Sequence, residues 1–105
     1  MSDSDVGTDR AKQLSKQYGV PFVNLDDYTV EPAVLARVPA ELAERHRLLP
    51  LTVDEQSPTL VVAMANPGDA NAIDELQVCT GFTVDVVVAS EAQLKRAINR
   101  YYFAN

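Results

Sequence analysis

Apolar residues recur along this chain with two different periods, and the changes of period mark the elements. Ala11, Leu14 and Tyr18 fall at helical spacing and stop at Gly19, which predicts a helix capped by Thr8 or Asp9. Behind Pro21, Phe22-Val23-Asn24-Leu25 predicts a short strand, and Asp26 to Thr29 a polar connection. Pro32 suits the first turn of a second helix, and Val38-Pro39 interrupts it, because proline disfavours a helical residue before it. Ala40 to His46 then forms the second member of a helix pair, or the second limb of a kinked helix.

The period next changes to two. Leu49, Leu51 and Val53 alternate with Pro50 and Thr52, and Leu60, Val62 and Met64 alternate with Val61 and Ala63. Asp54 to Pro58 between them is polar, so the two runs predict an antiparallel hairpin. Asn66-Pro67-Gly68-Asp69 caps a helix carrying Ile73, Leu76 and Cys79 and ending near Gly81. Thr83 to Val88 predicts a strand with Val84, Val86 and Val88 on one face. Ser90 and Gln93 form a capping box for a last helix bearing Leu94, Ala97, Ile98, Tyr101 and Tyr102. The expected fold is α/β (α+β): a small mixed or antiparallel sheet with a central hairpin, covered by helices on at least one face. Residues 1–8, small, polar and acidic, are expected as a flexible tail, and residues 9–105 as one domain.

Length and charge narrow the function. At 105 residues and 47% hydrophobic, the chain has enough apolar material for one core. The single cysteine, Cys79, excludes an intrachain disulfide. No apolar run reaches the ~18 residues of a membrane span, and the acidic start has no signal-peptide character. The expectation is a soluble protein of a reducing compartment. Nine basic against 15 acidic residues leave a net charge of −6, which argues against general binding to nucleic acid or an anionic membrane surface.

The candidate chemistry is sparse. His46 is the only histidine and Cys79 the only cysteine, so a four-ligand zinc site is not available, and nucleophilic catalysis of this kind would need these two side by side. Cys79 reads as a small hydrophobe on the buried face of its helix, and His46 as a polar residue at a helix end. Carboxylate pairs at Asp26-Asp27, Asp54-Glu55 and Asp74-Glu75 fall in turns or on exposed helix faces. No Gly-x-x-x-x-Gly-Lys-Ser/Thr phosphate loop occurs. Two basic clusters stand out from the acidic background: Arg45-His46-Arg47, and Lys95, Arg96 and Arg100 on the last helix. Either is a solvated face or a recognition surface for carboxylate or phosphate.

The run from Gln17 to Tyr102 resembles a known family. Gln17-Tyr18-Gly19-Val20-Pro21-Phe22-Val23-Asn24-Leu25 is similar to its opening segment. Val38-Pro39, Glu41-Leu42-Ala43, His46 and Leu48-Leu49-Pro50-Leu51 are similar to its central block. Leu60 to Pro67, Ala72-Ile73-Asp74-Glu75-Leu76, Thr80-Gly81, Ser90-Glu91 and Ile98 to Tyr102 follow in order. The family is the N-terminal domain of type II secretion and type IV pilus assembly ATPases, the general secretory pathway protein E N-terminal domain.

That resemblance implies a non-catalytic cytoplasmic module, with no enzyme activity and no cofactor, that docks a motor onto other components of a secretion or pilus machine. It is also compatible with recruitment to the inner membrane by a partner, without insertion. Some members bind cyclic di-GMP through a preceding helical motif, Arg-Leu-Gly followed by apolar positions, a Gly, and a Leu and Gln tail. Here Leu14 and Gln17 match the tail, Arg10 stands where an earlier Leu belongs, and residues 1–9 supply neither the Arg-Leu-Gly nor the Gly. The alternative reading, a cyclic di-GMP-binding regulatory module, would use Arg10, Leu14 and Gln17, and the departure from the motif predicts weak binding or none. The chain is either an excised domain or a free-standing adaptor, the latter favoured by its Met1 start and untagged end. Arg45, His46 and Arg47 are the expected partner-binding residues, because on an acidic protein they would steer an acidic partner.

Overall fold

Helix α1 (Asp3–Tyr18) stops where Gly19 turns left-handed at φ +66°, and the Val20 N–H reaches back to the Ser15 carbonyl at 3.1 Å. The computed structural model describes residues 3–103, and residues 3–9 by their backbone only. The helix begins before the start expected at Thr8 or Asp9, so the expected tail of residues 1–8 is helical from Asp3 onward, while residues 1–2 lie outside the described residues. Ala11 is the buried anchor of this helix, and Tyr18 lies over Gly68, where a Cβ would stand 2.6 Å from its hydroxyl.

The expected strand at Phe22 to Leu25 is reduced to one parallel bridge, Phe22 with Val88, flanked by Val23 N–H to Val88 O and Val88 N–H to Pro21 O, both 2.8 Å. Asn24 then caps a 3-10 turn over Leu25–Asp27 by accepting the Asp26 N–H. Asparagine's short amide competes with ladder pairing here, and the turn wins. Helix α2 (Pro32–Leu35) and helix α3 (Ala40–His46) form the expected pair, separated at Pro39.

Strand β1 (Leu48–Asp54) pairs antiparallel with β2 (Thr59–Met64), from Leu48↔Met64 to Asp54↔Thr59. The register shifts between Pro50 and Thr52, leaving Leu51 as an extra residue. That bulge explains why Leu49, Pro50 and Leu51 are all buried although strict alternation was expected, and it accommodates a proline that has no N–H to donate. Helix α4 (Ala70–Thr80) crosses over to β3 (Thr83–Val88), which pairs parallel to β2. The sheet is therefore mixed, in the order β1-β2-β3. Leu60, Val62 and Met64 on one face of β2 and Ala63 on the other are all at 0% exposure, so the central strand is covered on both sides.

Helix α5 (Glu91–Ile98) starts at Ser90, whose hydroxyl accepts the Gln93 N–H at 3.1 Å. Only half of the expected capping box closes. The Gln93 side chain is drawn away from its own helix to Asn24, Leu25 and Asp26. Past Ile98 the chain widens into a π-helical turn, Asn99–Phe103, which aims the Tyr101 and Tyr102 hydroxyls at the α2 region. The Tyr101 hydroxyl accepts the Val30 N–H and donates to the Tyr28 carbonyl, each at 3.3 Å. One correction concerns Cys79. It is exposed, because the buried stripe of α4 runs through Ala72 and Leu76 and turns Cys79 outward.

Candidate functional site

The parallel strands β2 and β3 both end at one edge of the sheet, and α4 and α5 both start there. Backbone bonds close that edge: Ala89 N–H to Met64 O at 3.2 Å, and Ala65 N–H to Arg47 O at 3.3 Å. A crevice beyond the carboxyl ends of parallel strands is where open α/β sheets hold ligands. Here it is a cavity of about 440 Å³ lined by Arg10, Leu14, His46, Arg47, Asn66 and Glu91, among others.

Each lining residue is positioned by a local feature. Arg10 and Leu14 come from α1, held in place by Ala11 and by Tyr18 on Gly68. Asn66 is fixed by accepting the Gly68 N–H at 3.1 Å. Arg47 follows α3 in a left-handed conformation, φ 52°, the one positive φ on a non-glycine residue among the described residues. Its N–H caps the Ala43 carbonyl, a position that usually takes glycine. Such strain persists where the surroundings impose it, and here it places Arg47 in the cavity lining. The lining holds two arginines, Arg10 and Arg47, and one carboxylate, Glu91, a balance that suits an anion.

Thus four residues singled out in the sequence for two different roles, Arg10 and Leu14 for a ligand and His46 and Arg47 for a partner, line one cavity. Gln17 is exposed and does not line it. Arg45 faces away: it donates to Glu41 Oε1 at 2.6 Å and Glu75 Oε1 at 3.2 Å. His46, 15% exposed at its side chain, lies 2.7 Å from Glu75 Oε2 through Nε2 and 3.9 Å from Asp69 Oδ2 through Nδ1. The basic cluster is therefore divided, with Arg45 and His46 tied to carboxylates of α4 and its cap and only Arg47 outside these pairs. Asn66 and Glu91 were not singled out as site residues, since nothing in the local sequence signals that distant loops meet there.

Among the described residues no group of three or more histidine, cysteine or carboxylate side chains is placed to hold a metal ion, and no helix is long and apolar enough to cross a membrane. Burial pushes the Tyr102 hydroxyl up to about 12 from 10.0.

The model of the MshEN domain matches residues 18–103. The type IV pilus assembly ATPase PilB of Myxococcus xanthus is 48% identical over 89 residues, covering 85% of this chain and 15% of that protein. PilB of Thermus thermophilus is 28% identical over 92 residues, 88% of this chain and 10% of that protein. The chain thus spans 10–15% of the length of these two relatives. Among solved structures, MshE with cdg superimposes with a TM-score of 0.79 at 26% identity, covering 97% of this chain and 70% of that one. The N-terminal domain of XpsE has a TM-score of 0.77 at 22% identity, covering 91% and 66%, which is a likeness of fold.

Proposed function

This chain belongs to the MshEN domain family, homologous to the N-terminal region of pilus assembly ATPases, and on that premise we propose that it is a non-catalytic, cytoplasmic docking module. In this reading it links a pilus- or secretion-type motor to other proteins of the same machine and is brought to the inner membrane by a partner rather than by a span of its own. The carrying observation is the extent of the match. It takes in 85% of this chain but 15% of the Myxococcus relative, which leaves the bulk of the larger protein outside the shared region. A module of this kind needs a rigid frame, and a three-stranded sheet buried on both faces of its central strand supplies one. The test is direct binding between this chain and purified cytoplasmic parts of pilus- or secretion-machine components from the same cell, with saturable binding expected in the absence of nucleotide.

One observation favours a second reading, the cyclic di-GMP regulatory module. MshE, a neighbour in structure, was solved with cyclic di-GMP, and the cavity at the strand ends gathers Arg10 and Arg47. Against it stand the motif positions that residues 1–9 lack and the placement of Gln17 outside the cavity. Docking without a nucleotide requirement is the reading these observations support better. Calorimetric titration with cyclic di-GMP separates the two.

A further inference from the structure

Helices α3 and α4 are the walls of a second groove, of about 570 Å³, with a floor and flanks formed by Pro39, Leu42, Val78 and Cys79. Val78 is 87% exposed. A β-branched residue is a weaker helix former than alanine, and Val78 recovers little of that by burial in this fold. Cys79 beside it is exposed as well. Around these apolar side chains stand Glu41, Asp74 and Glu75, against one cation, Arg45. Arg45 is shared between Glu41 and Glu75, so it offers little charge to a visitor, and Asp74 has no ion pair among the described residues. Arg45 and His46, both bonded to Glu75, tie α3 to α4 beside the groove.

We propose that this groove is the docking site for a basic amphipathic helix of a protein partner, a deepening that rests on the docking reading above. The sign is opposite to that expected from the Arg45-His46-Arg47 run, because folding bonds Arg45 to Glu41 and Glu75 and His46 to Glu75, and three carboxylates stand around the groove against one guanidinium. A trough between two helices accepts a third by ridge-into-groove packing, its apolar stripe over Val78 and Leu42 and its lysines or arginines over Asp74 and Glu41. An acidic partner or an anionic lipid surface would meet like charge there.

The probe is a synthetic amphipathic helix of leucine and lysine, about 18 residues or roughly five turns, with a leucine–glutamate helix of the same pattern as its counterpart. Cys79 is the sole cysteine and lines the groove, so its alkylation by N-ethylmaleimide reports occupancy. The lysine peptide is expected to slow alkylation saturably and to shift the Leu42 and Val78 amide resonances, and the glutamate peptide to do neither. Asp74→Lys is expected to weaken the lysine peptide about tenfold, whereas Asp85→Lys, on the exposed side of β3, leaves it unchanged. Both substituted positions, Asp74 and Asp85, are exposed, and circular dichroism checks each fold. Unchanged alkylation, equal protection by the glutamate peptide, or equal loss in Asp85→Lys overturns the proposal. So does protection that grows with protein concentration alone, which would make a second copy the occupant, or protection by phosphatidylcholine vesicles, which would make it a lipid surface. If the groove fails while machine components still bind, docking lies elsewhere on the module. If the groove binds and no component does, the functional reading fails and the groove stands.

Discussion

Gln93 Oε1 accepts the Leu25 N–H at 3.2 Å, joining residues 68 positions apart in the chain. The Gln93 amide nitrogen donates to Asn24 Oδ1 at 2.8 Å and Asp26 Oδ2 at 3.2 Å. A single buried amide thus fastens α5 to the 3-10 turn that follows α1, with both of its ends satisfied. This contact fixes where the last helix sits against the first half of the chain.

Gln93→Leu keeps the volume and removes every one of these bonds. The Leu25 N–H is then left without its partner, a loss of about 1–3 kcal/mol. Urea unfolding should show the midpoint fall with an unchanged slope. A midpoint within error of the parent would mean that water replaces the glutamine without cost.

Arg47 carries the left-handed residue that ends α3. Arg47→Gly removes the steric penalty but loosens the unfolded chain, so its stability should stay within about 0.5 kcal/mol of the parent. Arg47→Val, β-branched at a positive φ, should lose about 1–2 kcal/mol. The pair of melting curves isolates the backbone term. Equal melting temperatures would show that the left-handed conformation is not being held against strain.

The course of the main elements was legible in the sequence because it depends on local signals. Asp69 and Ser90 cap α4 and α5 where expected, and Gly19 and Gly81 end α1 and α4. Departures arise where a distant partner outweighs a local preference. Gln93 leaves its capping box for Asn24, Leu51 bulges out of its alternation, and Phe22 finds only one bridge at the end of β3. The candidate site was legible as residue types and not as geometry. Arg45, His46 and Arg47 are adjacent in sequence, yet α3 ends between His46 and Arg47, and the left-handed turn parts Arg47 from Arg45 and His46, which share Glu75. Cys79 was misplaced by a fraction of a helical turn. Ile73, Leu76 and Cys79 fit a buried stripe on spacing alone, whereas packing centres it on Ala72 and Leu76.

Tyr102 makes the fold sensitive to high pH. Its hydroxyl sits 3.3 Å from the Leu35 carbonyl and 3.2 Å from the Val38 carbonyl, and burial holds its pKa at about 12. Because the folded value lies above the unfolded one of 10.0, the folded state keeps the proton longer. The stabilisation is complete below pH 10 and is lost as pH rises toward 12. Unfolding midpoints across that window should decline for the parent and decline less for Tyr102→Phe. Parallel declines would assign the alkaline loss to other groups.

Cyclic di-GMP should give no saturation below about 100 µM, the concentration at which binding amounts to roughly 5.5 kcal/mol. Tighter binding that disappears in both Arg10→Ala and Arg47→Ala would instead make the strand-end cavity the nucleotide site. Either outcome is read directly from calorimetry.

The docking account is tested most directly by measuring, in one series, the binding of this chain to each purified cytoplasmic component of the pilus or secretion machine of its own cell, with ATP turnover followed in the same samples. The account predicts saturable binding to at least one component without nucleotide, and no turnover that scales with the concentration of this chain. Binding to none of them, or turnover proportional to the chain, would contradict it.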